Sequence, residues 1–207
     1  MKKQLFFICG ILFTACMLIA NVISSKIFVI GGWSAPAGVL VFPLAYVLND
    51  VIVEVWDYRH ARLIIWTGFG INAMAALFYA AAIALPPAPF YHEQAAFAAT
   101  LGSSARLVIA SLIAWLAGSF VNARIMNRFK QQQRGQFPLR AVVSTVAGEF
   151  IDSLLFISAA FVGSIPLRAV AAMIVTQASL KILYEIIILP VTVIVVGRLK
   201  KIKESEN

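Results

Sequence analysis

Polar positions interrupt the chain at wide intervals, and between them lie six long apolar runs, at about 5–24, 38–56, 63–85, 105–121, 142–162 and 169–197. A helix needs about 20 mostly apolar residues to cross the hydrocarbon core of a bilayer. Each run meets that length, so the pattern predicts an all-α polytopic bundle of six transmembrane helices, with residues 1–207 as one membrane domain. The last run is longer than a bilayer needs. It is expected to tilt, to kink at Pro190 or to project beyond the membrane. No intervening loop is long enough for a soluble catalytic domain.

Composition supports lipid as the solvent: 61% of the 207 residues are apolar and 13% are charged, against roughly half and a quarter in soluble domains. The net charge of +8 raises nucleic acid as a partner. The distribution argues against it, because the bases sit between apolar runs and not on one patch. They fit the positive-inside rule instead. With the N-terminus in the cytoplasm, the inner segments hold Lys2, Lys3, Arg59, Arg62, Arg124, Arg128, Lys130, Arg134, Arg140, Arg198, Lys200, Lys201 and Lys203, whereas Lys26, Arg106 and Arg168 fall outside and Lys181 lies within the sixth run. Both termini are therefore expected on the cytoplasmic side.

Lys2-Lys3 and the following apolar run share features with a signal peptide, and Phe13-Thr14-Ala15-Cys16 approaches a lipoprotein cleavage site. Retention is expected, because five spans would break the charge alternation. Loop 86–104 carries Pro86, Pro87 and Pro89 and no base, and reads as external. Loop 128–136 is basic, and reads as internal. Cys9 and Cys16 both lie in the first run and form neither a disulfide framework nor a metal pair.

Of nine acidic residues, Asp50, Glu54, Glu149, Asp152 and Glu185 lie within the spans. Each costs on the order of 3 kcal/mol at a helix centre unless it faces the bundle interior or a watery cavity. Asp50 and Glu54 are spaced i, i+4, and Glu149 and Asp152 i, i+3. Gln177, Lys181 and Glu185 continue at i, i+4, i+8. Helices two, five and six thus each carry a polar stripe on one face. Asn21, Asn49, Asn72 and Asn122 add amides.

Five carboxyls against Lys181 call for a cation, whether protons, sodium or a cationic solute group. Lys181 is expected to pair with one of the carboxylates. Glu54 and Glu185 sit toward helix ends, where burial is expected to cost little. Pro43 and Pro190 are expected to free the carbonyls of Val39 and Ile186. Helix-to-helix adhesion is the plain alternative for such polar groups.

An internal repeat of three plus three spans, inverted, is a further possibility. Residues 20–28 and 118–126 each end with a polar pair and a base. Signatures of enzymes are missing: the chain has no HExxH, no GxSxG, no glycine-rich phosphate loop, and no GxGD around Asp50 or Asp152. His60 and His92 fall on opposite sides of the membrane. No enzyme, no metal and no cofactor is expected.

The stretch Phe42-Pro43-Leu44-Ala45-Tyr46-Val47-Leu48-Asn49-Asp50-Val51-Ile52-Val53-Glu54-Val55, with Tyr58-Arg59 and Ala61-Arg62 beyond it, resembles the signature of the queuosine-precursor transporter family, earlier named vitamin uptake transporters. The likeness continues through residues 144–156, which include Gly148-Glu149 and Asp152-Ser153, and again from Gln177 through Lys181 to Glu185, with Pro190 beyond. One departure is Asp57, where the family usually has a small residue or glycine. The resemblance implies uptake of 7-cyano- or 7-aminomethyl-7-deazaguanine, or of queuine, across the bacterial inner membrane for tRNA modification.

The site residues expected are Asp50, Asp152 and Lys181, then Glu54, Glu149, Asn49, Gln177 and Glu185, with Phe42, Tyr46, Phe156 or Tyr184 stacking on the ring. A carboxylate accepts the paired N–H donors of a guanine edge. A second carboxylate suits an aminomethyl cation, and Lys181 or an amide suits the O6 acceptor. Alternating access, with a carboxyl carrying a proton, is the expected mechanism. Two other readings stay open at this point. One is a substrate-binding subunit of an energy-coupling factor transporter, and the other is an intramembrane enzyme. The assembly stays open between monomer and homodimer.

Overall fold

The computed structural model describes residues 2–30, 33–102, 105–133, 135–161, 163 and 166–204. Met1, Arg134, Ser104 (the end of the external loop) and Val162 (the end of the fifth run) lie outside the described residues. Helix α1 spans Lys2–Ile23, and strands β1 (Ile27–Ile30) and β2 (Trp33–Pro36) follow as an antiparallel pair with Ile27 opposite Pro36. A 3-10 turn, Ala37–Leu40, leads into α2 (Phe42–Val55). Then come α3 (Tyr58–Ala84), a short α4 (Gln94–Leu101), α5 (Ala105–Gln131), α6 (Phe137–Phe161) and α7 (Leu167–Glu204).

Six stretches are long and apolar enough to cross a membrane: Gln4–Ile23, Ala37–Val55, Tyr58–Ala84, Ile109–Gln131, Phe137–Ala160 and Val170–Lys201. The chain is a six-helix membrane bundle.

The helices sort their side chains as lipid demands. Phe7, Leu77, Phe78 and Ile187 stand 68%, 72%, 68% and 68% exposed, which water would penalise and a bilayer does not. On α1 the outward Phe7, Ile8, Ile11 and Leu12 contrast with Phe13, Met17 and Ala20, which face the core. There Phe13 and Met17 pack with Ile52, Ile65, Trp115 and Met126. Helix α2 is the central element: ten of its residues are buried, Asn49, Asp50 and Glu54 among them, and it touches α1, α3, α5, α6 and α7.

Two glycines let α5, α6 and α2 approach closely. A Cβ on Gly118 would stand 2.5 Å from Tyr46 Oη and 2.8 Å from the Gly148 carbonyl. One on Gly148 would stand 2.9 Å from the Gly118 carbonyl. Such small residues are how membrane helices gain contact without a hydrophobic driving force.

Several boundaries differ from the sequence reading. Helix α5 runs ten residues past 121, so Arg128 and Lys130 sit in its last turn. Residues 118–126 are therefore helix interior, whereas 20–28 leave α1 and enter β1. The two stretches compared as a repeat do not occupy equivalent places. Pro43 lies in the first turn of α2, where a helix has no hydrogen bond to lose, so it breaks nothing within α2. Pro190 does lie inside α7. At about 1.5 Å per residue, the 38 residues of α7 run well past a bilayer's ~30 Å core.

Candidate functional site

The 14 residues of α2 are too few to cross the hydrocarbon alone. The 3-10 turn extends α2 to the candidate span Ala37–Val55, and the irregular backbone here borders a cavity: Pro36 and Val39 line it. Non-helical backbone at membrane depth is tolerated where it meets such a space. The cavity measures about 830 Å³, within the range of small-molecule sites. Its walls come from α1, α3, α5, α6 and α7, and it extends to Ser24, Ser25, Thr100 and Gly102. By the helix directions, that end lies opposite both termini.

Lys181, on α7, is the hub of the polar wall. Its side chain is 2% exposed, and its Nζ lies 2.9 Å from Glu149 Oε2 and also donates to Asp152 Oδ2. The expected pairing thus exists, with two carboxylates instead of one. The spacing of Glu149 and Asp152 one turn apart on α6 delivers both to the same ammonium. Phe42, at the start of α2, places its ring centroid 5.3 Å from Nζ, within cation–π range. Lys181, Asp152, Gln177, Phe42 and Phe156 all line the cavity. Glu149, fully buried, holds Lys181 from behind. One cation between two anions leaves the wall net negative, which suits donors or a cation on a bound solute.

The other predicted residues sit elsewhere. Asp50 is fully buried, and its Oδ1 accepts 2.8 Å from Asn122 Nδ2 while Thr145 Oγ1 lies 3.5 Å from Oδ2. It is not among the lining residues. Asn49 donates to the Ser119 carbonyl at 3.2 Å, a link between α2 and α5. Tyr46 is buried against Gly118 and Gly148, and Tyr184 is half-buried; neither lines the cavity.

Glu54 and Glu185 correct the expectation of inexpensive burial at helix ends, being 2% and 1% exposed. Neither oxygen of Glu185 has a hydrogen-bond partner among the described residues. Glu54 belongs to a separate knot: Arg140 Nη2 lies 2.6 Å from its Oε1, and Lys200 pairs with the same oxygen. Lys130 donates to the carbonyls of Val53 (2.8 Å) and Glu54 at the C-terminus of α2, where orphan carbonyls and the helix dipole favour a cation. This knot ties α2, α5, α6 and α7 together at the end carrying both termini.

Sequence reasoning treated Arg140, Lys130 and Lys200 only as topology signals. It also left α1 and α3 out of the site, although Asn21, Asn72 and Tyr79 line the cavity. No cluster of three or more metal-ligating side chains occurs among the described residues.

No curated protein matches the chain, and no solved structure does. A family model matches residues 36–195, from β2 to deep within α7, and so takes in the Lys181 cluster and the Glu54 knot except for Lys200. A small-solute cavity in a six-span bundle and that match point the same way: the chain belongs to the putative vitamin uptake transporter family.

Proposed function

We propose that this protein imports queuosine precursors, 7-cyano- or 7-aminomethyl-7-deazaguanine or queuine, across the bacterial inner membrane by alternating access. The observation that carries the reading is the wall of the cavity: Asp152 and Lys181 side by side, the Phe42 ring against the ammonium, and Phe156 and Gln177 on the same lining. A deazaguanine presents neighbouring N–H donors, which a carboxylate accepts. Its carbonyl acceptor takes an ammonium or amide donor, and its flat face stacks on an aromatic ring. Asp152 supplies the oxygen that Lys181 leaves free, and Glu149 keeps Lys181 in position. The Glu54 knot closes the opposite end of the bundle, as alternating access requires of a cavity open to one side.

A carboxyl that carries a proton belongs to the same proposal. Glu185 is buried without a partner among the described residues, and such a group is where a co-transported cation would be held. Uptake that proceeds unchanged in vesicles without a proton gradient would remove this part alone.

Uptake of labelled precursors into cells lacking their own synthesis and transport, read as queuosine in tRNA, tests the proposal. Restoration is expected with the wild type and its loss with Asp152→Asn. No restoration by protein present in the membrane sinks the deazaguanine reading. The vitamins in the family's description favour one rival, the substrate-binding subunit of an energy-coupling factor transporter. Co-purification of an ATPase module would decide for it.

A further inference from the structure

Across the cavity from the charged wall, α1 and α3 contribute a neutral polar pair. Asn72 is 3% exposed. Its Nδ2 donates 2.9 Å to the Gly68 carbonyl one turn back on α3, and its Oδ1 accepts 2.6 Å from Asn21 Nδ2 on α1. Both residues line the cavity. The polarity of this relay follows from one fixed point. A backbone carbonyl only accepts, so the Asn72 atom facing Gly68 must be its amide nitrogen. The atom facing Asn21 is then oxygen, and Asn21 must offer nitrogen to it. Asn21 is half-buried on the cavity wall, and its one hydrogen bond among the described residues uses Nδ2, which leaves its acceptor, Oδ1, facing no described donor.

We propose that Asn21 is a specificity-determining residue whose Oδ1 accepts a hydrogen bond from an N–H of the transported solute, with Asn72 as the positioning residue that aims it. This rests on the deazaguanine reading and adds to it: the solute is held at two poles, an ionic one on α6 and α7 and a neutral acceptor on α1. A solute offering only an acceptor at the second pole would face Oδ1 lone pair to lone pair and be rejected. Once a bound solute covers Asn21, an Oδ1 left without a donor costs more than a mismatch of shape does.

The test is a chemical cycle. Uptake kinetics are measured for a parent deazaguanine and for analogues in which one N–H at a time is methylated, in the wild type, Asn21→Ala and Asn72→Ala. In the wild type, one methylation is expected to raise KM about tenfold, the equivalent of one lost hydrogen bond. In Asn21→Ala that penalty disappears and the parent's own KM is about tenfold higher. Asn72→Ala, which leaves Asn21 in place but unfixed, raises the parent's KM severalfold with Vmax per transporter unchanged. If Asn21→Ala fails to reach the membrane, Asn21→Ser takes its place with the same expectation.

Equal methylation penalties in wild type and variant, with the parent still transported by the wild type, overturn the assignment and leave the deazaguanine reading intact. No transport of the parent by the wild type overturns both.

Discussion

At the cavity, one ammonium is shared by two carboxylates. At the end carrying both termini, one carboxylate is shared by two cations. The residue types are the same, yet the surroundings differ. Lys181 and Glu149 are 2% and 0% exposed at the side chain. Glu54 is 1% exposed, but its partners Arg140 and Lys200 are 11% and 41% exposed. Glu149, behind Lys181, has no route to water when the lysine is lost, and Asp152 meets only the cavity, whereas the cations of the outer knot reach the surface. A cluster that lines a cavity and cannot relax is suited to hold a solute's charges in fixed places. A knot whose long side chains reach solvent is suited to open and close. The two clusters differ in where uncompensated charge could go.

The largest effect is therefore expected at Lys181. Lys181→Met leaves Glu149 and Asp152 buried without a cation, and breaking a buried pair in this way costs about 3–5 kcal/mol. Loss of uptake and a sharp drop in thermal stability in detergent are both expected. A variant as stable as the wild type would show that the carboxyls never depended on the ammonium. Glu54→Gln comes next. Its cations can turn to water, so the cost is that of lost hydrogen bonds to charged groups, about 1.5–3 kcal/mol. Uptake is expected to fall by less than in Lys181→Met, because the cavity wall stays intact. Removing only the more exposed partner, by Lys200→Met, is expected to cost no more than about 1 kcal/mol. A larger loss at Lys200 than at Glu54 would reverse the roles assigned to burial.

How much of this was legible in the chain depends on the kind of signal. Six spans followed from apolar run length, because lipid imposes one length on every crossing. The Lys181 cluster was legible because Glu149 and Asp152 share a helix face, and a lone intramembrane lysine needs a partner. The pairing of β1 with β2 was not legible, because short strands beside long spans carry little periodicity. The Glu54 knot was hidden because its cations lie 76, 86 and 146 positions beyond Glu54 in the sequence, and bases near a membrane edge already have an explanation in topology. Asn21 and Asn72 were visible as amides, but nothing in one sequence says that α1 and α3 meet beside a cavity. Asp50, first among the acids by its context, is held by Asn122 away from the cavity, a distinction that spacing alone does not make.

Asp57 supplies the third and most exposed member of the comparison. Its carboxylate accepts from the His60 ring at 2.8 Å and from the His60 backbone N–H at 3.0 Å, with the two side chains 48% and 44% exposed. Partial burial pushes the Asp57 carboxyl up, but the His60 hydrogen bonds more than offset this and hold it below its ordinary value of 3.8. A lowered carboxyl contributes stability that is present above 3.8 and lost as pH falls through the folded value. Exposure limits that contribution to well under about 1 kcal/mol.

The backbone at Asp57 matters more for stability than its charge does. Asp57 has φ 155° and ψ 179°, a region natural to glycine that costs another residue about 1–3 kcal/mol. Asp57→Ala keeps the strain and loses the cap of α3, and is expected to cost about 1 kcal/mol. It should also flatten the acid limb of the stability profile below pH 3.8. Asp57→Gly loses the same cap but releases the strain, so it is expected to match or exceed the wild type by up to about 1 kcal/mol. Thermal unfolding in detergent should rank glycine first, aspartate next and alanine last. Glycine ranking below alanine would mean that the cap, and not the backbone, governs this turn.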